Sequence, residues 1–115
     1  MHFTTSLKKN FEFSRVYNKG KSTGNKNLVV YCLKTRNNTH NTNRLGLSVS
    51  KKVGGSVVRS RVTRLIKESY RLKENRIKTG YHIVIVARAN SKDASYHEIE
   101  AELEFLLKKH GLLLE

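Results

Sequence analysis

Between Leu45 and Leu72 the chain changes its hydrophobic period once, and this restricts the fold more than any other feature of its 115 residues. Leu45, Leu47 and Val49 alternate with Gly46, Ser48 and Ser50, the two-residue period of a half-buried strand. Gly54-Gly55-Ser56 then breaks the chain, with Ser56 expected as a helix cap. Beyond it Val58, Val62, Leu65, Ile66, Ser69 and Leu72 recur at 3.6-residue spacing, so a helix begins here with one apolar side.

The other side of that helix raises a second question. Nine basic residues lie between Lys51 and Arg76, against only Glu68 and Glu74. Arg64, Lys67 and Arg71 fall opposite the apolar stripe, Arg59 and Arg61 flank it near its start, and Lys51 and Lys52 precede it. Ordinary exposed helices gain from mixed charges at i,i+4, so uncompensated repulsion points to a polyanionic partner. Backbone N–H groups at the helix start add to the attraction for phosphate. A membrane-surface helix fits less well, because the apolar side is needed for the protein's own core.

The whole chain carries +14, and the charge is uneven. Residues 1–92 hold 21 Lys and Arg against three acids, whereas residues 93–115 hold two Lys against six acids. A charge of this size speaks about partners rather than fold. The length fits a single domain, 1–115, with one modest core.

Elsewhere the pattern gives a coarse order. Asn10 is placed to cap a short helix over 11–19 that ends at Gly20, with Phe13, Val16 and Tyr17 on one face. Residues 27–34, NLVVYCLK, read as a strand, and NNTHNTN (37–43) as a polar turn. The strand RLGLSVS is expected to pair antiparallel with its predecessor, and a further short strand fits near 21–25. HIVIVAR (82–88) is a buried strand after Gly80. Ser95 and Glu98 form a capping box, and Tyr96, Ile99, Leu103, Leu106 and Leu107 make a helical stripe. This is an α+β sandwich, helices against one sheet.

Several chemistries find little support. Cys32 is the only cysteine, which excludes an internal disulfide and a thiolate zinc site; within LVVYCL it reads as a buried spectator thiol. The five histidines (His2, His40, His82, His97 and His110) lack metal-ligand spacing. Glu98/Glu102 and Glu100/Glu104 are i,i+4 pairs that read as a solvated acidic face, so an autonomous nuclease lacks convergent carboxylates. The start of the chain does not resemble a signal peptide, and IVIVA (83–87) is too short to span a membrane. A cytoplasmic protein is expected.

The segment LGLSVSKKVGGSVVRSRVTRLIKESYR closely resembles the signature of the protein subunit of bacterial ribonuclease P. LKKNFEFSRVYNKG, NKNLVVY and HIVIVAR extend the resemblance over nearly the whole chain, in matching order. There are departures. The family's Arg-Asn-Arg stands here as Arg59-Ser60-Arg61, its Gly-Asn turn as Gly54-Gly55, a frequent Lys as Thr63, and a usually polar position as Phe11. Ser60 keeps a hydroxyl but loses an amide.

The resemblance implies an α-β-β-β-α-β-α sandwich related to a ribosomal-protein domain, with a left-handed β-α-β crossover. It implies that Lys51, Lys52, Arg59, Ser60, Arg61, Arg64, Lys67 and Arg71 bind a large catalytic RNA. It implies a cleft for the 5′ leader of precursor tRNA, formed by Phe13, Val16, Tyr17 and Tyr31, with Lys26 and Ser48 as further lining. Aromatic faces accept single-stranded bases by stacking, largely regardless of sequence. The RNA would perform the hydrolysis with Mg2+ held mainly by RNA and substrate, and the protein would supply neither a catalytic group nor a metal site. A ribosomal or general RNA-binding structural protein is the alternative that composition alone leaves open.

Overall fold

The computed structural model describes residues 1–35 and 42–114, so the 37–41 part of the expected polar turn, with His40, lies outside the described residues. The elements in chain order are β1 (Thr4–Ser6), α1 (Asn10–Lys19), β2 (Lys21–Gly24), β3 (Leu28–Lys34), β4 (Asn43–Ser48), α2 (Ser56–Lys73), β5 (Tyr81–Ala87) and α3 (Tyr96–Lys109). Short 3-10 turns at Glu74–Arg76 and Ala89–Asp93 follow α2 and β5. This is the expected order with one strand, β1, added in front. Three residues of FTTS are too few to show a period.

The strands form one mixed sheet in the order β1-β4-β5-β3-β2. The expected antiparallel pairing of β3 with β4 does not occur. β5 lies between them, antiparallel to β3 and parallel to β4. A parallel neighbour requires a crossover, and α2 supplies it. Asn43, read as part of the turn, instead opens β4 as a buried residue. Its Nδ2 donates to the Lys78 carbonyl at 2.9 Å and its Oδ1 accepts from the Tyr81 N–H at 2.9 Å. That side chain ties β4 to the entry of β5.

Alternation along the strands divides the sheet into two faces. Leu28 and Val30 of β3, Leu45 of β4, and Ile83, Ile85 and Ala87 of β5 face the main core with Val62, Ile66 and Tyr70 of α2 and Ile99, Leu103, Leu106 and Leu107 of α3. The predicted stripe of α2 is displaced toward its C-terminus. Leu72 is 61% exposed, while Tyr70 and Lys73 are buried. Lys73 is tolerated because its Nζ reaches Glu100 at 3.2 Å and the Ser69 Oγ at 3.1 Å. Among the described residues the opposite face carries only α1, which buries Val16 against Val84 and Leu7.

The caps also shift. Lys9, not Asn10, precedes α1, and the Glu12 carboxylate accepts from the N–H groups of Lys8 and Lys9. Gly55, not Ser56, caps α2. The Ser95–Glu98 box at α3 is as expected, with Ser95 Oγ accepting from Glu98 N–H at 3.1 Å. The remaining α3 carboxylates are not simply solvated. Glu102 accepts from the Asn27 backbone at 2.9 Å and from its side-chain amide, Glu100 holds Lys73, and Glu104 pairs with Arg76 at 2.5 Å. They fasten α3 to the sheet edge and to the end of α2.

Candidate nucleic-acid interface

α1 crosses the second face of the sheet because Phe13, Val16 and Tyr17 share one side of it. Val16 sits fully buried over the rung formed by Tyr31, Val84 and Gly46 on β3, β5 and β4. Phe13 reaches the β4 end of that rung. A Cβ on Gly46 would stand only 2.6 Å from two atoms of the Phe13 ring, so glycine here makes the seat. Tyr17 reaches the β3 end, where its ring meets Tyr31 edge-to-face at 4.8 Å; the Phe13 and Tyr17 centroids are 6.4 Å apart. Edge-to-face contact is the favoured arrangement for aromatic quadrupoles. Phe13 and Tyr31 are half-buried and Tyr17 is 37% exposed.

The next rung, Val29–Val86–Ser48, is only half-buried, which leaves an apolar floor beside the three rings. Ser48 therefore belongs to the cleft face. Lys26 is exposed in the turn between β2 and β3, at the margin rather than on the floor. His82 lies on the same face, one rung to the other side, opposite Leu33 and Arg44. Burial and the charges of Arg44 and Arg15 keep its imidazole below the ordinary pKa. Arg44 is engaged by Glu12 and donates to the Ser6 carbonyl at 3.0 Å.

On the other side of the molecule, Ser56, Arg59, Ser60, Thr63, Arg64 and Arg71 line a groove along α2, together with Lys67. Positions i, i+3, i+4, i+7 and i+8 make one continuous helix face. Ser60, Arg64 and Lys67 are exposed, and so are Lys51 and Lys52 in the turn before the helix. Arg71 is exposed but bonded to Glu68, Nη2 to Oε1 at 2.5 Å. Arg59 is half-buried, and its Nε is buried with no hydrogen-bond partner among the described residues. Arg61 does not join this face. Its guanidinium donates to the carbonyls of Lys92 at 3.3 Å and Ala94 at 2.8 Å, which holds α2 against the turn after β5.

Sequence reasoning missed Thr63 as a lining residue, although the i+7 spacing from Ser56 marks it. Its hydroxyl donates to the Arg59 carbonyl at 2.8 Å. A smaller groove runs along β1, with Phe13 and Leu7 on one wall and Thr63 and Lys67 on the other. It links the aromatic cleft to the basic face of α2 around the short edge strand. A basic helix joined to an aromatic, half-apolar sheet face combines the two elements that single-strand binders use, backbone neutralisation and base stacking.

The sequence model of the Ribonuclease P family matches residues 1–111. The chain belongs to the bacterial ribonuclease P protein family. Among its relatives, the ribonuclease P protein component of Clostridium novyi is 58% identical over 106 residues, covering 92% of this chain and 93% of that protein. That of Alkaliphilus metalliredigens is 52% identical and covers 98% and 99%. The solved structure of the Staphylococcus aureus ribonuclease P protein superposes with a TM-score of 0.84 at 36% identity, over 94% of this chain and 96% of that one. The Thermotoga maritima ribonuclease P protein gives 0.79 at 26% identity, over 90% and 96%. The family's role is that of protein component in a ribonucleoprotein that processes the 5′ end of tRNA, and this chain contributes to that activity. No helix among the described residues is long and apolar enough to cross a membrane.

Proposed function

We propose that the chain acts as one RNA-binding domain whose two surfaces divide the work. The α2 face, through Arg59, Ser60, Arg64, Lys67 and Arg71 with Lys51 and Lys52, docks on the phosphates of the catalytic RNA. The cleft of Phe13, Val16, Tyr17 and Tyr31, with Ser48 on its floor and Lys26 at its margin, receives the single-stranded 5′ leader of precursor tRNA. Arg61 positions α2 rather than touching RNA. The observation that carries this reading is the groove along β1, lined by both Phe13 and Lys67, which gives RNA bound at one surface a direct path to the other.

Bond cleavage is left to the RNA. Three of the four α3 carboxylates, Glu102, Glu100 and Glu104, are engaged by Asn27, Lys73 and Arg76, which suits them to fastening the fold. In this proposal Mg2+ is bound by the RNA and the substrate. The protein lowers the repulsion between phosphates that otherwise opposes substrate binding.

The test replaces Arg64 and Lys67 by Glu, verifies the fold by circular dichroism and titrates a bacterial ribonuclease P RNA at several salt concentrations. Each lost contact should reduce the salt slope by about 0.9. The same variant should fail to restore precursor cleavage at low magnesium. Unchanged affinity and unchanged rescue in a folded variant would remove α2 from the interface.

A further inference from the structure

A second basic site lies at the end of the sheet where β2 begins, β3 ends and β5 begins, flanked by the last residues of α1 and α3. A pocket of about 280 Å³ is lined there by Lys19, Lys21, Lys34, Cys32, Tyr81 and His110, with Leu33 at its rim. No carboxylate lines it, and none of the three lysines forms an ion pair among the described residues. Lys19 has an internal reason to be here, since a cation at the end of α1 complements the helix dipole. Lys21 and Lys34 have none. Lys21 pairs with Cys32 across the strands, and Lys34 lies two residues further along β3, so the two ammonium groups share a face as diagonal neighbours. Like charges in that relation oppose folding. The floor is apolar enough that burial pushes the Cys32 thiol up to about 11 in spite of nearby Lys21. A cleft lined by one sign of charge over a low-dielectric floor concentrates its field on a counter-ion.

The location relates this pocket to the cleft. Tyr31 and Cys32 are adjacent in β3 and point to opposite faces; across from them stand Ser22 and Lys21 of β2. β2 is the sheet's edge strand, with nothing paired on its outer side among the described residues. RNA leaving the Tyr17–Tyr31 pair has only this short strand to cross before it meets the three lysines. We propose that Lys19, Lys21 and Lys34 bind the backbone phosphates of the distal, single-stranded part of the leader after it turns around the β2 edge. This rests on the reading of the cleft as a leader site, and it makes the protein a sensor of leader length as well as leader presence. His110 is held out of the contact, because its Nε2 is engaged with the Val30 carbonyl at 2.9 Å and the Thr23 hydroxyl at 3.0 Å.

The test combines Lys19→Gln, Lys21→Gln and Lys34→Gln in one protein, all three being exposed, and reconstitutes it with a bacterial ribonuclease P RNA. Binding is measured for precursor tRNA with a long leader, precursor with a leader too short to leave the cleft, and mature tRNA. Tyr31→Ala is run in parallel. For the long leader, affinity at low salt should fall about tenfold and the salt slope by about 2, at about 0.7 per contact on a single strand. The short-leader and mature species should bind as before. A triple variant that loses nothing, while Tyr31→Ala weakens both precursors, overturns the pocket and leaves the cleft standing. Equal loss for all three species, or weakened binding to the RNA subunit alone, overturns it in favour of a contact with that subunit. If Tyr31→Ala also fails to separate precursor from mature tRNA, the cleft reading falls and the pocket proposal with it.

Discussion

Replacing Gly46 by Ala tests the seat of Phe13 and its role together. The added Cβ would stand 2.6 Å from Cε1 and Cζ of Phe13 and 3.2 Å from Cδ1 of Leu7. Carbon atoms settle at about 3.5–4.0 Å, so the ring must retreat by about 1 Å. Overpacking of this kind costs about 1–3 kcal/mol. The Phe13 ring is half-buried and can swing outward, which favours the middle of that range over the top. A Gly→Ala change returns about 0.4–1 kcal/mol through the unfolded chain, leaving a net loss of about 1 kcal/mol. With an unfolding entropy of about 2.1 cal/mol/K per residue, that lowers Tm by about 4 °C. On the proposed reading of the cleft, the larger consequence is for the leader. Moving the ring off the sheet removes part of a stacking platform worth about 1–3 kcal/mol per base, so the preference for precursor over mature tRNA should fall about fivefold. Thermal melts and equilibrium binding of the reconstituted enzyme measure the two effects. A double-mutant cycle decides the cause: in a Phe13→Ala background, Gly46→Ala should cost almost nothing. Full destabilisation in that background would refute the assignment of the clash to Phe13, and an unchanged precursor preference in the single variant would refute its role in the cleft.

Other perturbations follow from the same geometry. Gly55 caps α2 with extended backbone and open space around it, so Gly55→Ser should stabilise the fold by a few tenths of a kcal/mol in denaturant titration, and a loss of stability would contradict the cap assignment. Burial works against the Glu74 carboxylate, but the Thr4 hydroxyl and the N–H groups of His2 and Phe3 (at 2.9 and 3.0 Å) hold its pKa below the ordinary value. A depressed pKa gives stability that is present above the unfolded value of about 4.3 and is lost as pH falls through the folded one, so Glu74→Gln should flatten the acid limb of a stability–pH curve. Cys32, with its thiol at about 11, should react with a disulfide reagent on the order of a hundredfold more slowly in the folded protein than after denaturation.

Where sequence and structure agree, the signal was local. The basic face of α2 and the capping box of α3 were legible because helical spacing is set by neighbours within one or two turns. Phe13, Val16 and Tyr17 could be placed on one face, but that they meet Tyr31 was not readable from periodicity; it came from the resemblance to the ribonuclease P family. The failures were non-local. Pairing of β3 with β4 was expected because the two are consecutive, and nothing in either strand announces that β5 will come between them. Asn43 looked like turn chemistry until its amide was seen bonded to Lys78 and Tyr81, far along the chain. Leu72 kept the helical period yet faces solvent, since the stripe of α2 ends at Lys73, where Glu100 on another helix makes a buried ammonium acceptable. Arg61 was grouped with Arg59 and Arg64 through helical position and the family resemblance, neither of which could show that its guanidinium reaches the carbonyls of Lys92 and Ala94 instead of the α2 groove.

The central position of β5 has a consequence for how the molecule is made. Before residues 81–87 leave the ribosome, β2 can zip onto β3 and β1 can lie beside β4, but these are two unconnected ribbons. The strand that welds them is the last to be synthesised, so the nascent chain holds its hydrophobic edges apart through most of translation with nothing to close them. Non-local pairing of this kind slows folding and lengthens exposure to aggregation. The net charge of +14 also keeps unfinished copies from one another. Backbone amides of β3 and β4 that bond to β5 should exchange with solvent in a single shared opening. Separate exchange of the two strands would show that the ribbons persist without their weld.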